Sequence, residues 1–144
     1  MNALSRKKDS SNVKFEDVQV YTVPGDPIAL ARHRHSGNHI YDAQKLDKLN
    51  VGLLLGHQHG SRPLFKGALC VNFVFYLPIP KSSKKNGVLQ GRYHIYRPDI
   101  SNLIKFYEDV SNKILFDDDC LIAVISAKKV YDDDPRTEFT IREL

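Results

Sequence analysis

Tyr93-His-Ile-Tyr-Arg-Pro-Asp-Ile-Ser-Asn-Leu-Ile-Lys105, followed downstream by Phe116-Asp-Asp-Asp119, is the stretch that decides how this chain folds. Arg97-Pro98 closes an extended segment, because proline fixes its own φ and turns the preceding residue away from helix. Asp99 then stands where an N-cap carboxylate accepts the orphan N–H groups of a first helical turn. Ile100, Leu103, Tyr107, Val110 and Ile114 follow at spacings of three and four, the apolar stripe of an amphipathic helix. Ser101 and Lys105 lie one turn apart on a different face. After the acidic run, Ile122-Ala-Val-Ile-Ser-Ala127 predicts a buried strand. Each polar part has an ordinary reading: a cap, a solvated turn, a surface lysine. Carboxylates at a helix start and a strand start, with a lysine one turn in, together have the composition of a metal and phosphate site.

Working outward, Ala68-Leu-Cys-Val-Asn-Phe-Val-Phe-Tyr76 is nearly continuous apolar sequence and predicts a central strand packed on both faces. Val18 to Val23 predicts a first strand, ended by Pro24-Gly-Asp-Pro27. Thr137 to Arg142 alternates Phe139 and Ile141 with polar neighbours, a last strand covered on one side. Asp132-Asp-Asp-Pro135 reads as the turn before it. Asp42 caps a helix whose stripe is Leu46, Leu49 and Leu53, broken by Gly56-His-Gln-His-Gly60. The order β, helix, β, helix, β, β predicts an α+β fold: one domain over 15–144, a mixed sheet with helices on one face. Residues 1–14 read as a flexible basic arm.

The chain has 144 residues, enough for a core without disulfides. Cys70 and Cys120 adjoin apolar runs and read as buried thiols. No secretory signal or membrane-length apolar run appears, which predicts a soluble, intracellular (cytoplasmic or nucleoid-associated) protein. The net charge is +4, and the acidic residues gather after position 98. The basic N-terminal half suits a polyanion. Arg32-His-Arg-His35 lies in a Gly/Ser loop suited to phosphate, and Lys81, Lys84 and Lys85 line a second basic loop. The histidine spacings, His57 and His59 included, do not match a structural zinc site.

Pro98-Asp-Ile-Ser-Asn-Leu-Ile-Lys105, then Asp109, then Asp118-Asp119, resembles the signature of RusA-like Holliday-junction resolvases. That family carries a Pro-Asp-x-Asp-Asn-Leu-x-Lys block, an aspartate in the helix, and an Asp-Asp pair beyond it. Many members also place a histidine where His94 stands. Ser101 departs, standing where the family has its second metal-binding aspartate. The resemblance implies a RusA-like fold and a Mg²⁺-dependent (Mn²⁺ possible) endodeoxyribonuclease. Such an enzyme resolves four-way junctions in recombination and repair by paired symmetric cleavage, as a homodimer. It makes Asp99 and Asp119 direct ligands, Asp118 a third ligand or an orienter, and Lys105 a fixed charge on the phosphate. Asp117 is then a candidate to compensate for Ser101, and His94 a proton shuttle or phosphate contact. Arg32, Arg34, His94, Arg97, Lys81, Lys84 and Lys85 are the implied DNA contacts. The alternative is a non-catalytic branched-DNA binder whose metal site was lost with Ser101. A hydrolase of small phosphate esters fits the basic loops less well.

Overall fold

The computed structural model describes residues 18–31 and 42–144, with the backbone alone for 34–36 and 39–41. The basic arm falls outside the described residues. The main sheet has four strands. β1 (Val18–Pro24) runs antiparallel to β6 (Arg136–Glu143), and β6 antiparallel to β4 (Leu69–Pro78). β5 (Ile122–Asp132) runs parallel to β4, which requires a crossover. That crossover carries α2 (Ile100–Ser111), the helix predicted from the Asp99 block. α1 (Lys45–His59) connects the earlier part of the chain to β4. The sheet is mixed and the fold α+β, as the element order implied. Among the described residues, no helix is long and apolar enough to cross a membrane.

β4 is central but not packed on both faces. Leu69, Val71, Phe73, Phe75 and Leu77 point into the core, where Phe73 meets Phe139 with ring centroids 5.1 Å apart and Phe75 meets Tyr107 at 5.9 Å. The opposite face carries a polar ladder: Ser126 Oγ donates to Asn72 Oδ1 (2.6 Å), and Asn72 Nδ2 donates to Thr140 Oγ1 (3.4 Å). Among the described residues the helices form a single layer, so one side of the strand is sealed. Tyr107 links the layers, its buried hydroxyl accepting from Thr137 Oγ1 (3.0 Å) and from the Ile28 amide (3.1 Å).

α1 reverses the expected face. Leu46, Leu49 and Leu53 are exposed, while Val51, Gly52, Leu55 and His59 are buried. The chosen face is the one that fits its neighbours. Tyr21 Oη and His59 Nδ1 lie 2.7 Å apart, and His59 Nε2 lies 3.1 Å from the Pro63 carbonyl, to which it donates. His59 is therefore a core residue. Ile114 packs so closely on Gly52 that a Cβ there would sit 3.0 Å from it. Leu49→Gln should change stability by no more than about 0.5 kcal/mol. Leu55→Ala, at 0% exposure, should cost roughly 2–5 kcal/mol by urea unfolding.

β5 is likewise not the buried strand its composition suggests. It lies at the sheet edge, with Ala123, Val124, Ile125 and Ser126 exposed. Apolar side chains at an edge lack a neighbour on one flank, which sequence cannot reveal. Further along, the segment before α2 covers the edge: the His94 amide donates to the Lys129 carbonyl (3.0 Å) and the Tyr131 amide to the Arg92 carbonyl (2.9 Å). Cys70 is buried as expected, whereas Cys120, beside the acidic run, is exposed.

Candidate active site

Asp99 occupies the N-cap position of α2, with φ −69 and ψ 139, but its carboxylate makes no capping hydrogen bond. The sequence places it correctly and misassigns its work: the side chain is exposed and uncommitted. The helix behind it is rigidly seated, with Leu103, Phe106, Tyr107 and Val110 all buried. The lead-in is held by Lys129, whose Nζ donates to the carbonyls of Tyr96 (2.6 Å) and Pro98 (2.7 Å). Arg97, Pro98, Asp99 and Asn102 line an open cavity of about 530 Å³.

The basic loop starts beside this cavity. The Leu30 amide donates to the Asn102 carbonyl (2.9 Å), fixing the chain just before Arg32. Gln44 ties both sides of the excursion: its Nε2 donates to the Ala29 carbonyl (2.8 Å), and its Oε1 accepts from the Ala31 amide (2.8 Å). Arg32 lies outside the described residues. Arg34 belongs to β2 (Arg34–Ser36), paired antiparallel with β3 (His39–Tyr41), and only its backbone is described. Lys81, Lys84 and Lys85 are exposed on a 3-10 turn, Lys81–Asn86. That turn follows the end of β4, opposite Asp132, at the same end of the sheet as the Lys129-held lead-in to Asp99.

Asp119 lies elsewhere, opening the 3-10 turn Asp119–Leu121 that precedes the other end of β5. This turn packs on α2. Ser101, Lys105 and Glu108 share one face of the helix at spacings of four and three. Burial pushes the half-buried Glu108 carboxyl up, the Asp119 charge adds to that, and Lys105 opposes it. Asp119, Lys105 and Glu108 therefore form one electrostatic group. Glu108 was missed at the level of sequence, although its place one turn beyond Lys105 was the available signal. Asp99 lies about 13 Å from it along the helix axis, at 1.5 Å per residue.

Asp109, Asp117 and Asp132 are occupied by ion pairs. Asp117 Oδ1 accepts from Lys113 Nζ at 2.9 Å. The neighbouring Cys120 thiol first, then the Cys120 and Asp119 amides, hold the Asp118 carboxyl below the ordinary range. Asp109 pairs with Lys48 at 3.1 Å, and Lys48 also reaches Asp42 at 2.6 Å. Asp132 accepts from the Asp134 amide (2.8 Å) and faces Arg136 (3.4 Å), so the second acidic run is the turn it resembled. Among the described residues, Asp99, Lys105, Glu108 and Asp119 enter no ion pair.

His94 is half-buried, stacked near Tyr131 at a centroid distance of 4.8 Å, with a buried Nδ1 that finds no partner. Burial first, and the Lys129 charge second, lower its pKa from the ordinary 6.5. The folded state thus binds fewer protons here than the unfolded chain just below pH 6.5, so this contribution to stability is lost as pH falls through that window. His94→Gln should destabilise less than wild type does between pH 7 and pH 5, read from urea midpoints.

Among the described residues, no group of three or more His, Cys, Asp or Glu side chains forms a ready-made metal cage. The donor chemistry still fits Mg²⁺. Asp99 and Asp119 offer hard anionic oxygens not spent on capping or ion pairs, and Mg²⁺ commonly takes one or two carboxylates, with waters and substrate phosphate completing its shell.

Comparison with known proteins gives the family. The family described as "Endodeoxyribonuclease RusA" matches residues 24–142, which take in α1, β4, α2 and β5 and nearly all of β6. "Uncharacterized protein YqaN" of Bacillus subtilis (strain 168) is 29% identical over 135 residues, covering 86% of this chain and 95% of that protein. With an uncommitted Asp99, a lysine one turn in and an aspartate ahead of β5 set on a matching chain, this protein belongs to the RusA endodeoxyribonuclease family.

Proposed function

We propose that this chain is a divalent-metal-dependent endonuclease that resolves Holliday junctions by paired, symmetric phosphodiester cleavage in DNA recombination and repair. The observation that carries the reading is the division of ionic labour. Asp109, Asp117, Asp132 and Arg136 are consumed by structural pairs, while Asp99, Lys105 and Asp119 are left unpaired on and beside one well-seated helix. Charges kept unpaired on a rigid support are the features a phosphate-processing site requires.

Asp119 would hold Mg²⁺ or Mn²⁺, with Asp118 as a further ligand or an orienter, while Asp99, at the opposite end of α2, would offer its carboxylate at its own cavity; Asp117 is less favoured because Lys113 already holds it. A bound divalent ion would supply an activated water and charge neutralisation at the scissile phosphate. Lys105 offers a fixed positive charge for the non-bridging or leaving oxygen. Arg97 and Asn102, facing the cavity with Asp99, would position the phosphodiester. Lys81, Lys84 and Lys85 lie at the same end of the sheet and would take flanking phosphates, as would Arg32 and Arg34 from the excursion that starts at Leu30. His94 is seated too deeply to be a primary phosphate ligand and fits a supporting role beneath Tyr96. A homodimer would present equivalent sites to a two-fold symmetric junction.

Ser101 favours one second reading, a branched-DNA binder without catalysis. The two separate in one experiment: incubate the protein with a labelled four-way junction and with a linear duplex of the same sequence, with Mg²⁺ and with EDTA. The nuclease reading requires junction-selective, EDTA-sensitive cutting. Junction binding without cutting in Mg²⁺ and in Mn²⁺ supports the binder.

A further inference from the structure

We propose that Tyr93 and Tyr96 form a stacking platform for unpaired bases beside the Asp99 cavity, by which this chain tells branched DNA from linear duplex. The inference rests on the nuclease reading above only for the ligand being DNA. Among the described residues, these two are the tyrosine or phenylalanine side chains left exposed, at 71% and 68%. Tyr21, Phe75, Phe106, Tyr107 and Phe116 are all buried in the core. Both exposed rings fall in the short segment that leads into Asp99, and Ile95 between them is more exposed still, at 80%. The patch is therefore contiguous along the chain and borders the cavity lined by Arg97, Pro98, Asp99 and Asn102.

The backbone beneath these rings is pinned. The Gly91 amide donates to the Tyr131 carbonyl (2.9 Å), the Tyr131 amide to the Arg92 carbonyl (2.9 Å), and the His94 amide to the Lys129 carbonyl (3.0 Å). Lys129 Nζ donates to the Tyr96 carbonyl at 2.6 Å. Side chains of an extended segment alternate, so His94, packed on Tyr131, turns Tyr93 and Ile95 outward. The Tyr96 ring stands edge-on to His94, with centroids 6.1 Å apart and planes at 86°. Rings on a fixed support have little freedom left to lose when a flat partner stacks on them. The surroundings say which partner that is. Arg92 and Arg97 are exposed and enter no ion pair among the described residues, and Lys81, Lys84 and Lys85 lie at the same end of the sheet. Cations around aromatic faces suit phosphates with bases between them. In a linear duplex each base face is covered by its neighbours. Where strands exchange, pairs at the branch open at less cost and offer a face to the rings.

The test is fluorescence anisotropy with the full chain in EDTA, on a labelled single strand, a four-way junction and a linear duplex. Tyr93→Ala and Tyr96→Ala should each weaken single-strand and junction binding by roughly tenfold and leave duplex binding unchanged. Tyr93→Phe and Tyr96→Phe keep the ring and should bind as wild type does. Tyr93→Leu and Tyr96→Leu keep apolar bulk without the ring and should behave as the alanine variants. In the wild type, irradiating a bound single strand that carries 5-iododeoxyuridine should attach it to Tyr93 or Tyr96, a readout that requires no variant to fold. Unchanged affinities with crosslinks elsewhere, or an equal loss on all the DNAs, would overturn the inference. So would a shift from dimer to monomer in sedimentation of the alanine variants, which would make the patch a contact between copies. If the wild type still cleaves junctions in any of these cases, the nuclease reading stands. A wild type that binds none of these DNAs overturns both.

Discussion

Asp119→Asn should lower single-turnover cleavage of a four-way junction by on the order of a thousandfold or more, with junction affinity unchanged or slightly tighter. The substitution keeps the shape of the side chain and removes only its charge. Asp119 makes no ion pair, so folding does not depend on that charge. Its charge adds to the burial that raises the Glu108 carboxyl, which Lys105 opposes. On the proposed reading, losing an anionic oxygen there would weaken the hold on a hard cation, and with it water activation. Removing a negative charge also lessens repulsion of DNA, so binding should not suffer. A variant that keeps cleavage within a few-fold of wild type would move the chemistry away from this turn.

Phe106→Ala should lower folding stability by roughly 3–5 kcal/mol, a large share of the 5–15 kcal/mol typical of a domain. Phe106 is 0% exposed, its ring edge-on to Tyr107 with centroids 5.1 Å apart. It lies on the side of α2 that faces the core, away from Ser101, Lys105 and Glu108. The loss therefore combines buried apolar area with a cavity that the seated helix and sheet cannot close. In thermal unfolding the midpoint should fall by roughly 10–20 °C. Well below that midpoint the folded fraction should cleave at a near-normal rate, since the uncommitted face is unchanged. A decline of less than about 1 kcal/mol would mean that α2 is not seated as described.

The fold was legible wherever local chemistry and burial agree. β6 alternates, and its Phe139 and Ile141 are buried as the pattern demands. α2 was legible because its apolar stripe is narrow and continuous, and its first residue was placed by Pro98 and Asp99. α1 was not, because Val51-Gly-Leu-Leu-Leu55 is apolar around the whole helix. Which face is buried was decided by distant partners: Tyr21 bonding His59 and Ile114 packing on Gly52. β5 was misjudged for a related reason, since an apolar run does not say whether a strand has one neighbour or two. The same holds for the candidate site. Its residues at the helix start carry a signature, whereas Glu108 acquires meaning only from the turn that folds against it. The capping role of Asp99 was the reverse case, a local rule satisfied in position and unused by the side chain.

The most direct measurement is to map the cuts that the wild-type protein makes in a synthetic four-way junction with each strand labelled in turn, in Mg²⁺ and in EDTA. Paired nicks at symmetry-related positions on opposing strands, absent in EDTA and absent from the linear duplex, are the predicted result. A stable junction complex that stays uncut in Mg²⁺ and in Mn²⁺ would contradict it, and would make this chain a reader of branched DNA with an idle site.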